Sequence, residues 1–331
     1  MRSPVTMRPA AVHLRETLVR AARAAAAVCG VAVVLAAGRP GFAASCDDAD
    51  VWVVSTRCLG GIGCMPEQPS FSVEQLVQDD CGRRRWQRAG LSEMLADSSR
   101  PLAIFIHGNR YEPADAKKQG IALSHRLARF SPTNVPARTV IFSWPSQKKG
   151  LLLADGRTKY QRCYTDAHYL AALLAQVDPE QPVAVVGYSF GALITLKAFE
   201  DLCGADGQLP CGEGSLQCRP GPVHVVLVAP AVRSDALAPR GPYHAAMACV
   251  DRLTVIINTR DDALRFFPLL DRQHDAPALG FVGMPSRWAG ENTSFRMTNA
   301  ASIVGRQHSL LRYLESATLS SVIATAAVAG L

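Results

Sequence analysis

A serine flanked by glycines stands at Gly187-Tyr188-Ser189-Phe190-Gly191, directly behind the apolar run from Val183 and directly ahead of a helix-forming stretch. In such a strand–turn–helix setting the serine occupies a tight turn, and the glycines remove side chains that would collide where strand passes into helix. A hydroxyl is a weak nucleophile at neutral pH, so it needs a base within hydrogen-bond reach and an acid that fixes the base's tautomer. In this setting the acid and then the histidine follow the serine along the chain. Of the eight histidines, only His274 and His308 lie beyond the last clear strand. His274 sits in the charged stretch Asp271 to Asp275 and reads as part of a solvated loop. His308 follows a short strand, Phe295 to Asn299, and opens the terminal helix, so it is the candidate base.

For the acid, the strand Leu253 to Asn258 runs into Thr259-Arg260-Asp261-Asp262-Ala263-Leu264. A carboxylate just past a strand's C-terminal end faces the same sheet edge as Ser189. Asp261 and Asp262 both qualify, and one of them can instead cap the helix that begins near Ala263. Acyl chemistry also needs two backbone N–H groups aimed at the developing negative charge. Phe190 supplies one candidate, at the N-terminus of the helix after the nucleophile. Asn109, in the turn Ile106-His107-Gly108-Asn109 after an earlier strand, supplies the other. His107 reads as a residue that braces this turn.

The elements that must position these groups are buried strands alternating with helices. The strands are Leu102 to His107, Thr139 to Trp144, Val183 to Val186, Val223 to Val228 and Leu253 to Asn258. The helices run over Ala114 to Phe130, Tyr160 to Val177, Gly191 to Leu202, Tyr243 to Val250 and Ser309 to Val328. Continuous apolar strands in βα alternation predict an α/β fold, a mostly parallel sheet covered on both faces. Two β-rich runs, Val51 to Thr56 and Phe71 to Val77, precede it. Arg83-Arg84-Arg85 reads as an exposed turn, and Val322 to Leu331 as the apolar face of the last helix.

The net charge of +7 invites a nucleic-acid partner, but residues 1–43 hold six Arg and one acid, Glu16, and so carry +5 of it. The remainder is only slightly basic, and no nucleic-acid partner is expected. Arg-bearing residues, the apolar run Ala24 to Gly38 and Gly41-Phe42-Ala43 together form the pattern of a secretory signal over residues 1–43. The run is shorter than a bilayer span, so residues 44–331 are expected as one exported domain, periplasmic or extracellular, with an uncleaved leader anchor or lipidation at Ala43-Ala44-Ser45-Cys46 as the lesser alternatives. Nine cysteines remain behind the leader, with no metal-ligand spacing among them. Disulfides are their ordinary use in that compartment. Cys58 with Cys64, and pairs within Cys203, Cys211 and Cys218, are the local bridges expected.

From about residue 100 to the end the chain resembles the α/β-hydrolases. The likeness is to a bacterial serine-hydrolase branch with an HGN turn, an SWPS strand end, a GYSFGA elbow and a late DxAL acid. Here these are His107-Gly108-Asn109, Ser143-Trp144-Pro145-Ser146, Gly187 to Ala192 and Asp261 to Leu264. Val304 to His308 resembles that branch's histidine segment, and Val51 to Arg57 its first strand. The resemblance implies an α/β-hydrolase fold and gives the acid role to Asp261. It implies serine-hydrolase chemistry on a Ser-His-Asp triad without naming an ester. The leading expectation beside it is an exported hydrolase of carboxylic esters or thioesters, with a small-molecule or lipid-like ester as substrate and no cofactor or metal. Acyl transfer on the same residues, or a non-catalytic protein of that fold, are the alternatives.

Three loops bear on access to Ser189. The Cys-rich insertion 203–218 follows the elbow helix and so emerges at the edge opposite Ser189. Ala229 to Pro242 emerges at the active edge, but its length predicts only a small cap and a fairly open cleft. Trp144 to Arg162 emerges there too, carrying Lys148, Lys149, Arg157 and Lys159 either toward an anionic substrate or as solvated charge.

Overall fold

The computed structural model describes residues 50–331 apart from 67, 131–135, 204–218 and 272–274. The leader, the Cys-rich insertion with Cys211 and Cys218, and His274 lie outside the described residues.

Nine described strands form one sheet: β1 (Val51–Ser55), β2 (Ser72–Gln78), β3 (Arg84–Ala89), β4 (Leu102–Ile106), β5 (Arg138–Ser143), β6 (Val183–Tyr188), β7 (Val223–Val228), β8 (Arg252–Ile257) and β9 (Ser294–Asn299). Their order is β3-β2-β1-β5-β4-β6-β7-β8-β9. Only β1-β2 and β2-β3 pair antiparallel. The parallel strands β4 to β7 are buried throughout, as expected of strands covered on both faces.

The chain steps from β4 to β5 in one direction along the sheet, then crosses back to β6 and continues through β7, β8 and β9. Right-handed crossovers therefore put α1 (Pro113–Phe130) on one face and α2 (Leu152–Leu174) and α3 (Phe190–Cys203) on the other. After β9 come α4 (Leu310–Glu315) and α5 (Ala317–Val328), and α5 packs back against α1 while α2 packs on α3. The direction of travel reverses between β4 and β6, which makes their C-terminal ends the place for a ligand crevice.

Several expectations need correction. Helix α2 begins eight residues before Tyr160, at Leu152, because the polar stretch Asp155 to Lys159 is carried on the helix rather than in a loop. Asp155 is buried there with Arg110 at 3.5 Å, and Lys159 is buried too, which removes it from the solvated cations. Tyr243 to Val250 contains only a 3-10 turn, Ala245–Cys249. The terminal helix is broken at Ser316, whose hydroxyl accepts from Leu319 N–H at 3.3 Å and so caps α5. Of the three arginines read as a turn, Arg84 and Arg85 open β3, an edge strand whose charged side chains discourage pairing with another chain. Lys117 holds β3 and β2 onto α1, lying 4.5 Å over the Trp86 ring and 2.6 Å from Glu74.

Cys203, and Cys58 with Cys64, depart from the local bridges expected. Cys203 bonds to Cys249, joining the end of α3 to the 3-10 turn before β8, while Cys58 and Cys64 carry free thiols. Sequence proximity favoured local bridges, but the fold brings together two cysteines 46 residues apart. The segment 229–242 folds flat against the core through buried Ala231, Val232, Ala236 and Leu237, with no helical lid.

Candidate active site

Ser189 stands between β6 and α3 with φ +54°, a left-handed conformation that side-chain-bearing residues rarely adopt. The glycines around it are set by close approach. A Cβ at Gly191 would lie 2.1 Å from the Ile106 carbonyl oxygen, and one at Gly187 would lie 2.9 Å from Ala192 Cα. The turn is tight enough that α3 starts directly beneath the end of β4. Ser189 N–H donates to the Val228 carbonyl at 3.0 Å, which fixes the elbow to the end of β7.

Asp261 and His308 meet this serine. His308 Nε2 is 2.8 Å from Ser189 Oγ, and His308 Nδ1 is 2.7 Å from Asp261 Oδ2. A carboxylate only accepts, so Nδ1 carries the proton and Nε2 is left as the acceptor for the serine hydroxyl. Asp261 is fully buried, and its other oxygen accepts from the N–H groups of Ala263 and Leu264 at 2.9 and 3.1 Å. One carboxylate thus caps the one-turn helix Asp262–Arg265 and orients the imidazole. Asp262 points away to a surface pair with Arg306 at 3.0 Å.

The histidine segment is tied to the acid segment by contacts that no sequence pattern announces. Asn258, buried at the end of β8, donates from Nδ2 to the Gly305 carbonyl at 2.8 Å, and Asp262 N–H donates to the Arg306 carbonyl at 3.2 Å. Gly305 takes φ +67°, which turns the chain so that His308 comes back over the sheet. From below, the Tyr188 ring stacks on the imidazole at 5.2 Å. Burial holds the Tyr188 phenol far above its ordinary pKa, so it is a neutral support.

On the other side of Ser189 lies the β4 turn. A Cβ at Gly108 would meet Ser189 Cβ and Tyr188 Cε1 at 3.0 Å, so the backbone of this turn runs close beside the serine and a side chain there would press on it. Ile106 pairs with Gly187 across β4 and β6, which sets Asn109 beside the elbow. The backbone N–H groups of Phe190 and Asn109 have no acceptor among the described residues. Asn109 Oδ1 accepts from Arg110 N–H at 2.8 Å, and that N–H also donates to the Ser146 carbonyl at 2.8 Å. His107 is buried between the rings of Tyr111 and Trp144, with burial pushing its pKa down to about 3. It is therefore neutral and braces the turn. Arg57, from the end of β1, donates to Ser143 Oγ, Gln147 Oε1 and the Tyr111 carbonyl and links the same loops.

Ser189 is 5% exposed, with His308 and the Gly108 turn on either side of it. Among the described residues no group of His, Cys, Asp and Glu has the arrangement to hold a metal.

The family model described as the alpha/beta hydrolase family matches residues 103–323. The chain belongs to that family. No functionally curated protein matches it. Among solved structures, this alpha/beta hydrolase is similar to an inhibited esterase B from Lactobacillus rhamnosis at 13% identity, over 94% of this chain and 92% of that one, with a TM-score of 0.34. It is similar to a bacterial heroin esterase at 13% identity, over 94% and 90%, with a TM-score of 0.36. A third is MGS-M1, an alpha/beta hydrolase enzyme from a Medee basin deep-sea metagenome library, at 14% identity over 77% and 88%, TM-score 0.28. Likeness at this level assigns no substrate.

Proposed function

We propose that this alpha/beta hydrolase is an exported serine hydrolase that cleaves carboxylic ester or thioester bonds through an acyl-Ser189 intermediate. The observation that carries the reading is the continuous hydrogen-bonded series from Ser189 Oγ through His308 to the buried Asp261 carboxylate, at 2.8 and 2.7 Å. Ser189 Oγ attacks the carbonyl carbon as its proton passes to His308 Nε2. The carbonyl oxygen becomes an oxyanion that takes hydrogen bonds from Phe190 N–H and Asn109 N–H. His308 then returns the proton to the leaving alkoxide or thiolate as its bond to carbon breaks. Water attacks the acyl-serine with His308 again as base, releasing the acid and restoring the serine. Asp261 keeps the imidazole in the tautomer that accepts at Nε2.

Export is supported by the Arg-bearing, apolar leader and by the Cys203–Cys249 bond, which suits an oxidising compartment. The test of the chemistry is hydrolysis of a chain-length series of chromogenic esters. Ser189→Ala is expected to lower kcat by roughly 10⁴-fold or more while leaving the fold intact. Equal hydrolysis by the variant would overturn the proposal.

A further inference from the structure

Leu151, Leu152 and Leu153 follow Lys148-Lys149-Gly150 at the start of α2, and they are 83, 65 and 42% exposed. Phe266 and Leu269, just past the one-turn helix Asp262–Arg265, are 57 and 46% exposed. The two groups adjoin. Arg157 lies one helical turn beyond Leu153 on the same face of α2, and it donates from Nε and Nη2 to the Leu269 carbonyl at 3.2 and 3.1 Å. A Cβ at Gly156 would meet Leu270 Cδ2 at 2.8 Å, so helix and loop are in direct contact.

Both segments leave the C-terminal ends of parallel strands, β5 and β8, and so rise from the edge that carries Ser189. Beneath them the Tyr160 ring touches Phe190 and Phe267 at centroid distances of 6.0 and 6.1 Å, joining this rim to the elbow. An isolated exposed leucine is ordinary, but large apolar side chains gathered on one rim mark a partner.

Charge selects the partner. The segments 145–157 and 259–271 carry five cations, Lys148, Lys149, Arg157, Arg260 and Arg265, against four carboxylates. Asp155, Asp261 and Asp271 are buried, and Asp262 is paired with Arg306. The exposed charges of the rim left unpaired among the described residues are therefore basic, Lys148, Lys149, Arg260 and Arg265, beside an apolar centre. That combination fits an anionic lipid surface, where apolar side chains enter the boundary between headgroups and acyl chains and basic ones meet phosphates. Among the described residues no helix is long and apolar enough to cross a membrane.

We propose that this rim docks the chain on a lipid surface bearing anionic headgroups, turning the Ser189 edge toward the lipid. The inference does not depend on the ester-hydrolase reading, and it is tested in the full-length Ser189→Ala chain so that turnover plays no part. A reporter tryptophan is added by Leu152→Trp, or by Glu180→Trp in the exposed loop before β6 at the opposite edge. Each is mixed with vesicles of brominated phosphatidylcholine, alone or with brominated phosphatidylglycerol. The leader is common to both chains, so the difference between reporters reads the rim. Quenching by phosphatidylglycerol vesicles is expected at position 152 and not at 180. Lys148→Glu with Lys149→Glu is expected to raise the lipid concentration for half-quenching by about tenfold or more. The proposal is overturned by absence of quenching at 152, by equal quenching at both positions, or by equal quenching in pure phosphatidylcholine. Burial of the 152 reporter with protein concentration and no lipid response would assign the rim to a second copy of the chain instead.

Discussion

At Asp261 two uses of a carboxylate coincide: one oxygen caps a helix and the other holds His308. Asp261→Asn keeps a cap acceptor but offers the imidazole an N–H in place of a lone pair, which favours the wrong tautomer. A loss of roughly 10³ to 10⁴ in kcat with little change in thermal stability is expected from ester kinetics and melting curves. Asp262→Asn, which removes only a surface pair, is expected to leave kcat unchanged. If the two variants behaved alike, the division of roles between these neighbours would be wrong. His107 gives a separate prediction about pH. Its folded pKa of about 3 lies below that of an unfolded histidine, so the unfolded chain binds the extra proton across that interval. Stability from this group is whole above about pH 6.5 and falls by up to about 1.4 kcal/mol per pH unit as pH drops toward 3. Melting at pH 7 and pH 4.5 is expected to show a smaller acid loss in His107→Asn than in wild type. An identical loss would mean that His107 does not stay neutral in the fold.

At the scale of elements, the elbow depends on α3 starting under β4, and Gly191 is where the two backbones meet. Gly191→Ala sets a methyl group against the Ile106 carbonyl, so the turn must open, costing about 1–3 kcal/mol or more and displacing Ser189. By contrast, Gly61 has nothing within 4 Å of an added Cβ, and Gly61→Ala is expected to change stability by less than about 0.5 kcal/mol. Denaturant midpoints of the two variants test this directly. Much of this scale was readable from sequence, because the strand runs are continuous and apolar and a glycine-flanked serine needs a strand before it and a helix after it. What was hidden had no local pattern. Asn258 looks like any strand-end asparagine until the fold brings Gly305 beside it. The start of α2 mixes exposed leucines with Asp155, which is buried only because it finds Arg110 from another loop. The edge strand β3 has little apolar alternation and is held by pairing with β2 and by Lys117.

Over the whole molecule, the Cys203–Cys249 bond closes a loop of 46 residues. Loop-closure entropy alone corresponds to about 4 kcal/mol for such a loop. Cys203→Ser with Cys249→Ser is expected to lower the denaturant midpoint by several tenths of the wild-type value under oxidising conditions, with m somewhat larger because the unlinked denatured chain is more expanded. An unchanged midpoint would show that the bond is dispensable. Sequence spacing pointed to local bridges because proximity along the chain was the only guide, whereas this pair is set by packing of the 3-10 turn Ala245–Cys249 on α3. The parallel sheet, its reversal between β4 and β6, and the gathering of Ser189, Asp261 and His308 at one edge follow from the order of βα units. The central claim is that Ser189 is the activated nucleophile of this edge. Incubation with a fluorophosphonate probe, read by intact mass and peptide mapping, tests it most directly. One phosphonyl group per chain on Ser189, absent in folded Ser189→Ala, is the result predicted; folded wild type left unlabelled, or labelled equally in the variant, would contradict it.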